Sequence, residues 1–232
     1  MTPTAALFDF NGVLVDDERL HLAGFNEVLA PLGVRVSDED YDARYIGFDD
    51  RGAFRAMLAD HGLPHDDARV AALIEAKRGV YLRLAEAELR VFPGAAEALR
   101  AAAAVMPVAV VSGALRDEIE MALALMRARD AVLDVVSAED TRACKPDPEG
   151  YLLGLAALRA RGFDLEAARC VAGEDSLAGI AAARAAGLKV IGVAQSHPAE
   201  ALRDAGADLV LASVAELRAT HIAALGSGGE VR

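Results

Sequence analysis

The sequence predicts an α/β protein, a doubly wound, Rossmann-like parallel sheet carrying an inserted all-helical cap. Three observations predict it. Leu7, Phe8 and Phe10 make a short, nearly continuous apolar run interrupted and closed by Asp9, Asn11 and Gly12, the pattern of a strand buried on both faces of a parallel sheet. From Asp17 to about Glu88 the periodicity is helical, with no convincing strand. From Val91 onward short β-rich runs alternate with helices, and repeated βα units imply a parallel sheet with right-handed crossovers. The expected boundaries are a core of residues 1–16 and 89–225, a helical cap of 17–88, and a disordered Gly/Ser tail of 226–232.

The first strand puts Asp9 at its carboxyl end. Open α/β sheets bind ligands at that edge, so a carboxylate there is a candidate nucleophile or metal ligand, with a turn-forming Asp as the plain alternative. Leu20, Phe25, Val28 and Leu29 mark one face of a helix that stops at Pro31-Leu32-Gly33. Ser37-Asp38-Glu39-Asp40 reads as a capped helix start, Phe54, Met57 and Leu58 as another helix, and Asp66 to Glu88 as a long one. Then follow a helix at Ala95–Ala104, a strand at Val108–Val111, a helix at Ala114–Met126 and a weak strand at Val132–Val136. Helix Pro148–Arg161, strand Cys170–Ala172, helix Ser176–Ala186, strands Lys189–Val193 and Asp208–Leu211, and a short helix from Val214 complete the series.

Composition narrows the function. A net charge of −12 argues against a nucleic-acid surface, which needs clustered Lys and Arg. The longest apolar stretch, Ala101–Val111, contains Pro107 and falls short of the roughly 18 residues of a membrane span. Met1 runs almost directly into the first strand, leaving no room for a signal peptide. Cys144 and Cys170 lack metal-ligand spacing and read as small buried hydrophobes in a reducing, cytoplasmic protein.

Three later strands also end in reactive polar residues. Val111 is followed by Ser112-Gly113, a hydroxyl and a backbone N–H suited to a phosphoryl oxygen. After the strand near Val136 comes Lys145-Pro146-Asp147-Pro148, where the prolines stiffen the loop that carries Lys145. Ala172-Gly173 leads into Glu174-Asp175-Ser176, paired carboxylates suited to a hard cation such as Mg²⁺. Taken singly, each has an ordinary reading as a helix cap, surface charge or helix-start acid. Parallel strand ends share one edge, so together they supply a nucleophile, phosphate donors, a lysine and a metal pair, the parts of phosphoryl transfer.

In order and wording these four motifs resemble the haloacid dehalogenase superfamily, in its branch of β-phosphoglucomutase-like and phosphoglycolate-phosphatase-like hydrolases with a helical cap. The resemblance runs from about Ala5 to Leu211. It implies that Asp9 becomes an aspartyl-phosphate, Ser112 binds the phosphoryl group, Lys145 bridges phosphate and Asp9, and Asp175, with Glu174 beside it, ligates Mg²⁺. It also implies a metal contact from the Asn11 backbone carbonyl and, loosely, substrate contacts from His21, Arg51 and Lys77 in the cap. The expected partner is a small phosphorylated substrate, on a monomer or weak homodimer.

One position departs from that pattern. Where the family's phosphatases and mutases usually carry a second Asp as acid and base, this chain has Asn11, and an amide cannot exchange a proton at accessible pH. Asp16, Asp17, Glu18 and His21 are the substitutes within sequence reach. The leading expectation is an Mg²⁺-dependent phosphatase with weakened turnover; a phosphomutase and a phosphate-binding sensor are the alternatives.

Overall fold

The computed structural model describes residues 5–226. The chain divides into two compact units, one built from the residues up to Val15 and from Val91 onward, the other from Asp16–Arg90.

The first unit begins with β1 (Ala5–Phe8), and β2 (Val15–Asp16) follows where the chain leaves it. The helical unit holds α1 (Glu18–Leu29), α2 (Asp38–Arg44), α3 (Asp50–Asp60) and α4 (Asp67–Glu88). The chain returns through β3 (Arg90–Val91), which forms a separate two-stranded sheet with β2. Then come α5 (Ala95–Ala103), β4 (Val108–Val111), α6 (Arg116–Leu125), β5 (Asp134–Val136) and α7 (Glu149–Ala160). The series ends with β6 (Cys170–Glu174), α8 (Leu177–Ala185), β7 (Lys189–Val193), α9 (Ala199–Asp204), β8 (Leu209–Leu211) and α10 (Ala219–Gly226).

The main sheet has six strands in the order β5-β4-β1-β6-β7-β8, and every neighbouring pair is parallel. β1 lies at its centre, with β4 on one side and β6 on the other. The crossovers therefore run outward from β1 in both directions, which opens a crevice at the carboxyl ends of β1, β4 and β6. All four residues of β1 are buried, as a strand covered on both faces requires. Its Leu7 packs with Val111, Tyr151, Leu155, Ala172 and Ile180 in the core of this unit.

The helical unit has its own core around Phe25, Leu29, Tyr41, Phe54, Met57 and Leu58. Side-chain caps start three of its helices: Ser37 accepts from the Asp40 N–H, Asp49 from Gly52 and Asp66 from Arg69, each satisfying one orphan donor of a helix start.

Several elements differ from the sequence expectation. β2 and β3 are two residues each, too short for an alternation to register. α9 fills the gap between β7 and β8, and the residues from Val214 make only a 3-10 turn before α10. Cys170 is buried, whereas Cys144 is exposed on the loop before Lys145. Gly226 ends α10, and the rest of the expected tail, 227–232, lies outside the described residues. Among the described residues no helix is long and apolar enough to cross a membrane.

Candidate active site

The site is built where β1, β4 and β6 end. Asp9 directly follows β1, and its N–H continues the sheet ladder by donating to the Gly173 carbonyl at 2.9 Å. The Phe10 N–H donates to Asp9 Oδ1 at 2.8 Å, which fixes that carboxylate. Glu174 is the last residue of β6, and Asp175 follows it ahead of the Ser176 cap of α8. Asp9, Glu174 and Asp175 are all buried, and one carboxylate oxygen of each lies within 4.8 Å of the others.

One cation meets this charge. The Lys145 ammonium lies 2.8 Å from Asp9 Oδ1 and 2.7 Å from Glu174 Oε1. Its loop is clamped from below by Glu149, whose Oε2 accepts from the Arg142 and Ala143 N–H groups at 2.7 and 3.0 Å. Tyr151, on α7, donates its hydroxyl to Glu174 Oε1 at 2.5 Å, and its ring lies 5.5 Å from the Lys145 ammonium.

Two glycines let the carboxylates pack this closely. A Cβ on Gly12 would stand 1.9 Å from Asp175 Oδ2, and the residue also takes the left-handed backbone (φ 74°) that side chains resist. A Cβ on Gly179 would stand 2.0 Å from Glu174 Oε2.

The crowding shows in the protonation balance. Burial, aided by Glu174 and Asp175, pushes the Asp9 carboxyl well above its ordinary 3.8, with Lys145 pulling the other way. Burial and Glu174 push Asp175 up to about 7, against a hydrogen bond from Ser196. For Lys145, burial alone would favour loss of the proton, and the pairing with Asp9 and Glu174 outweighs it, so the pKa rises above 10.5. When ionised, these three buried carboxylates outweigh the Lys145 ammonium, and an all-oxygen donor set of this kind fits a hard divalent cation.

Ser112 and Asn11 join the same edge. Ser112 continues from β4, its N–H bonded to the Val136 carbonyl at 2.9 Å. Its hydroxyl accepts from the Ala114 N–H at 3.0 Å and donates to Asn11 Oδ1 at 3.1 Å. The hydroxyl therefore tightens the turn ahead of α6, whose N-cap position is Leu115. Gly113 beside it is exposed.

The sheet unit thus gathers Asp9, Asn11, Ser112, Gly113, Lys145, Glu174 and Asp175. His21, Arg51 and Lys77 belong to the helical unit and have other surroundings. Lys77 is fully buried, not solvated: its ammonium lies 2.5 Å from Asp50 Oδ1 and 2.8 Å from His21 Nδ1, over the Phe25 ring. His21 Nε2 lies 3.3 Å from Asp17 Oδ2, which also accepts from the Tyr81 hydroxyl at 2.5 Å. Arg51 is exposed and, with Arg55, Val70 and Ile74, lines a groove of about 270 Å³.

Three residues escaped the sequence reading. Tyr151 sits inside an apolar helix stripe, whose spacing gives no sign of a polar role. Ser196 and Gln195 follow β7, a fifth strand ending at this edge, where a check of every strand end would have found them. Ser196 bonds Asp175. Gln195 Nε2 donates to the Gly12 carbonyl at 2.7 Å while its Oε1 accepts from the Val214 N–H at 2.8 Å, so it ties the turn after Asn11 to the far side of the sheet.

Comparison with known proteins gives a consistent picture. The family model described as haloacid dehalogenase-like hydrolase matches residues 6–193. Protein CbbY of Rhodobacter capsulatus is 35% identical over 196 residues, covering 81% of this chain and 83% of that one. Validoxylamine A 7'-phosphate phosphatase of Streptomyces hygroscopicus subsp. limoneus is 33% identical over 219 residues, covering 94% and 97%. Among solved structures, CbbY of Rhodobacter sphaeroides in complex with phosphate superposes with a TM-score of 0.79 at 30% identity, covering 93% and 96% of the two chains.

Proposed function

Because the chain belongs to the haloacid dehalogenase-like hydrolase family, we propose that it is an Mg²⁺-dependent phosphatase of a small phosphorylated metabolite, working through an aspartyl-phosphate on Asp9. The observation that carries this reading is the single ammonium of Lys145 bridging Asp9 and Glu174 inside a cluster of three buried carboxylates. Such a cluster is costly for a purely structural purpose, since buried like charges repel.

Each residue then has a task. Asp9 is the nucleophile; it stands on a rigid strand end with its Oδ1 held by the Phe10 N–H. Lys145 favours the ionised Asp9 before attack and pairs with the phosphoryl oxygens afterwards. The Gly113 N–H, and the Ser112 hydroxyl once it turns from Asn11 Oδ1, are the donors for the transferring group. Asp9, Glu174, Asp175 and the Asn11 carbonyl would hold Mg²⁺, which when bound offsets the charge of the carboxylates and of the phosphate. Relatives in the same family are named as phosphatases of phosphorylated carbohydrates and polyols, among them hexitol phosphatase B of Escherichia coli, which supports a sugar- or polyol-like phosphate as the substrate class.

The direct test is phosphate release from p-nitrophenyl phosphate with Mg²⁺ and with EDTA, followed by a panel of sugar and polyol phosphates. Mg²⁺-dependent release that vanishes in Asp9→Asn is the expected result; release that survives in EDTA or in Asp9→Asn removes the mechanism. One observation favours a second reading, a phosphate-responsive protein of low turnover: the amide of Asn11 at the place of an acid and base.

A further inference from the structure

The two residues after β7 reach back across β6 to the carboxylate cluster. Gln195 uses both ends of its amide: Nε2 donates to the Gly12 carbonyl at 2.7 Å and to the Val13 carbonyl at 3.3 Å, and Oε1 accepts from the Val214 N–H at 2.8 Å. Turning the amide over would set its oxygen against two carbonyls and its NH₂ against an N–H, so one orientation is fixed. Its far anchor is rigid. Val214 is fully buried, and Ala215 lies so close to Gly94 that a Cβ there would stand 2.5 Å from the Ala215 Cα. The near anchor is a turn already closed by the Gly12 N–H, which donates to the Val15 carbonyl at 2.9 Å. Ser196, the next residue, hydrogen-bonds the Asp175 carboxylate. A Cβ on Gly12 would stand 2.8 Å from Ser196 Oγ as well as 1.9 Å from Asp175 Oδ2, so the turn, the hydroxyl and the carboxylate meet at one point.

Resting on the phosphatase reading above, we infer that Gln195 and Ser196 are positioning residues for the cation site, and that their hold on Asp175 sets a preference for Mg²⁺ over Ca²⁺. Ser196 holds the carboxylate directly; Gln195 acts through the Gly12 turn against which that carboxylate packs. The other two members of the cluster are pinned too. Asp9 Oδ1 takes the Phe10 N–H and Lys145, and Glu174 Oε1 takes Lys145 and Tyr151. Mg²⁺ demands a near-octahedral set of oxygens at short range, whereas Ca²⁺ accepts more oxygens, looser angles and both oxygens of one carboxylate. A pre-set cluster meets the first demand and resists the second, because Asp175 cannot swing without leaving Ser196 or pressing on Gly12. Releasing it should therefore cost Mg²⁺ more than Ca²⁺. Such a difference separates positioning from simple loosening of the fold, which would weaken both cations alike.

The test is isothermal titration calorimetry of the full chain with MgCl₂ and with CaCl₂, no phosphate ester present. Ser196 is exposed, so Ser196→Ala removes one hydroxyl without opening a core cavity, and its melt should stay near wild type. Expected in Ser196→Ala is a ratio of Mg²⁺ to Ca²⁺ affinity that falls by about 10-fold or more, within the range for partners that orient metal ligands. The ratio should return in Ser196→Thr, which keeps the hydroxyl. Gln195→Glu keeps the acceptor for the Val214 N–H and loses the donor to Gly12, and the ratio should fall there too. Gln195→Met, neutral and of similar length, should match it and so separate the lost contact from the added charge. A ratio unchanged in Ser196→Ala and Gln195→Met, or equal losses for both cations, overturns the inference and leaves the phosphatase reading standing. A wild-type chain that binds neither cation overturns the metal assignment on which both readings rest.

Discussion

At the scale of single residues, the site is decided by which groups can carry charge and which can carry protons. Asp9→Asn keeps size and the acceptor for the Phe10 N–H but removes the proposed nucleophile, so phosphate release should fall to background while the thermal melt stays near wild type. Asn11→Asp supplies the missing acid, and release from an alkyl phosphate should rise roughly 10-fold or more, within the range for general acid–base catalysis; an unchanged steady-state rate would show that Asn11 is not the limiting residue. Asp175 gives a pH prediction. Its folded-state pKa in the metal-free protein is raised from 3.8 to about 7, so the folded state holds a proton that the unfolded chain releases. That contribution to stability is complete below about 3.8 and is lost as pH rises through about 7. A divalent cation removes the penalty by pairing with the ionised carboxylates, and the gain in Tm on adding Mg²⁺ should therefore grow between about pH 5 and pH 8. A gain that is flat with pH in paired melts would take Asp175 out of the ligand set.

At the scale of elements, one turn and one helix pair carry the burden. The turn after Asn11 closes on Gly12, whose missing Cβ leaves room for Asp175 Oδ2. Gly12→Ala forces a side chain into left-handed backbone, at about 1–2 kcal/mol, and drives it against the Asp175 carboxylate, the proposed metal ligand, as well. Mg²⁺ affinity by titration calorimetry should fall far more than overall stability; an unchanged affinity would mean that the turn relaxes freely. In the helical unit, α3 and α4 are joined by the buried pair of Asp50 and Lys77. Removing one partner of a buried pair strands the other charge, and Asp50→Ala should cost about 3–5 kcal/mol in urea unfolding of the helical unit. Among the described residues the His21 contact to Lys77 would be the polar partner left to offset the loss, so a cost below about 1 kcal/mol, the range of an exposed pair, would show that the ammonium reaches water.

For the molecule as a whole, all three candidate metal carboxylates belong to the sheet unit. Mg²⁺ alone should slow amide exchange around Asp9–Gly12 and Gly173–Gly179 while leaving α2, α3 and α4 at their metal-free rates. Equal protection throughout the helical unit would mean that ligands from Asp16–Arg90 complete the site.

The sequence by itself determined the order of βα units and the polar residues at four strand ends. Both are local: an apolar run long enough to be a buried strand, broken by a polar residue, is written in consecutive positions, and parallel pairing then carries every such ending to one edge. Asp9, Ser112, Lys145 and the Glu174-Asp175 pair were legible for that reason. Only the tertiary structure decided which cation meets which carboxylate. Lys77 sits in a polar helix pattern that reads as solvated, and its burial follows from Asp50 and His21, 27 and 56 positions away in the chain. Tyr151 fits an apolar stripe, and only the approach of α7 to β6 turns its hydroxyl toward Glu174. Ser196 acquires its role from Asp175 across β6 and β7, and two-residue strands such as β2 and β3 have no period to read. Burial and pairing of polar groups are set by partners distant in sequence, and no spacing along the chain encodes the distance at which they meet.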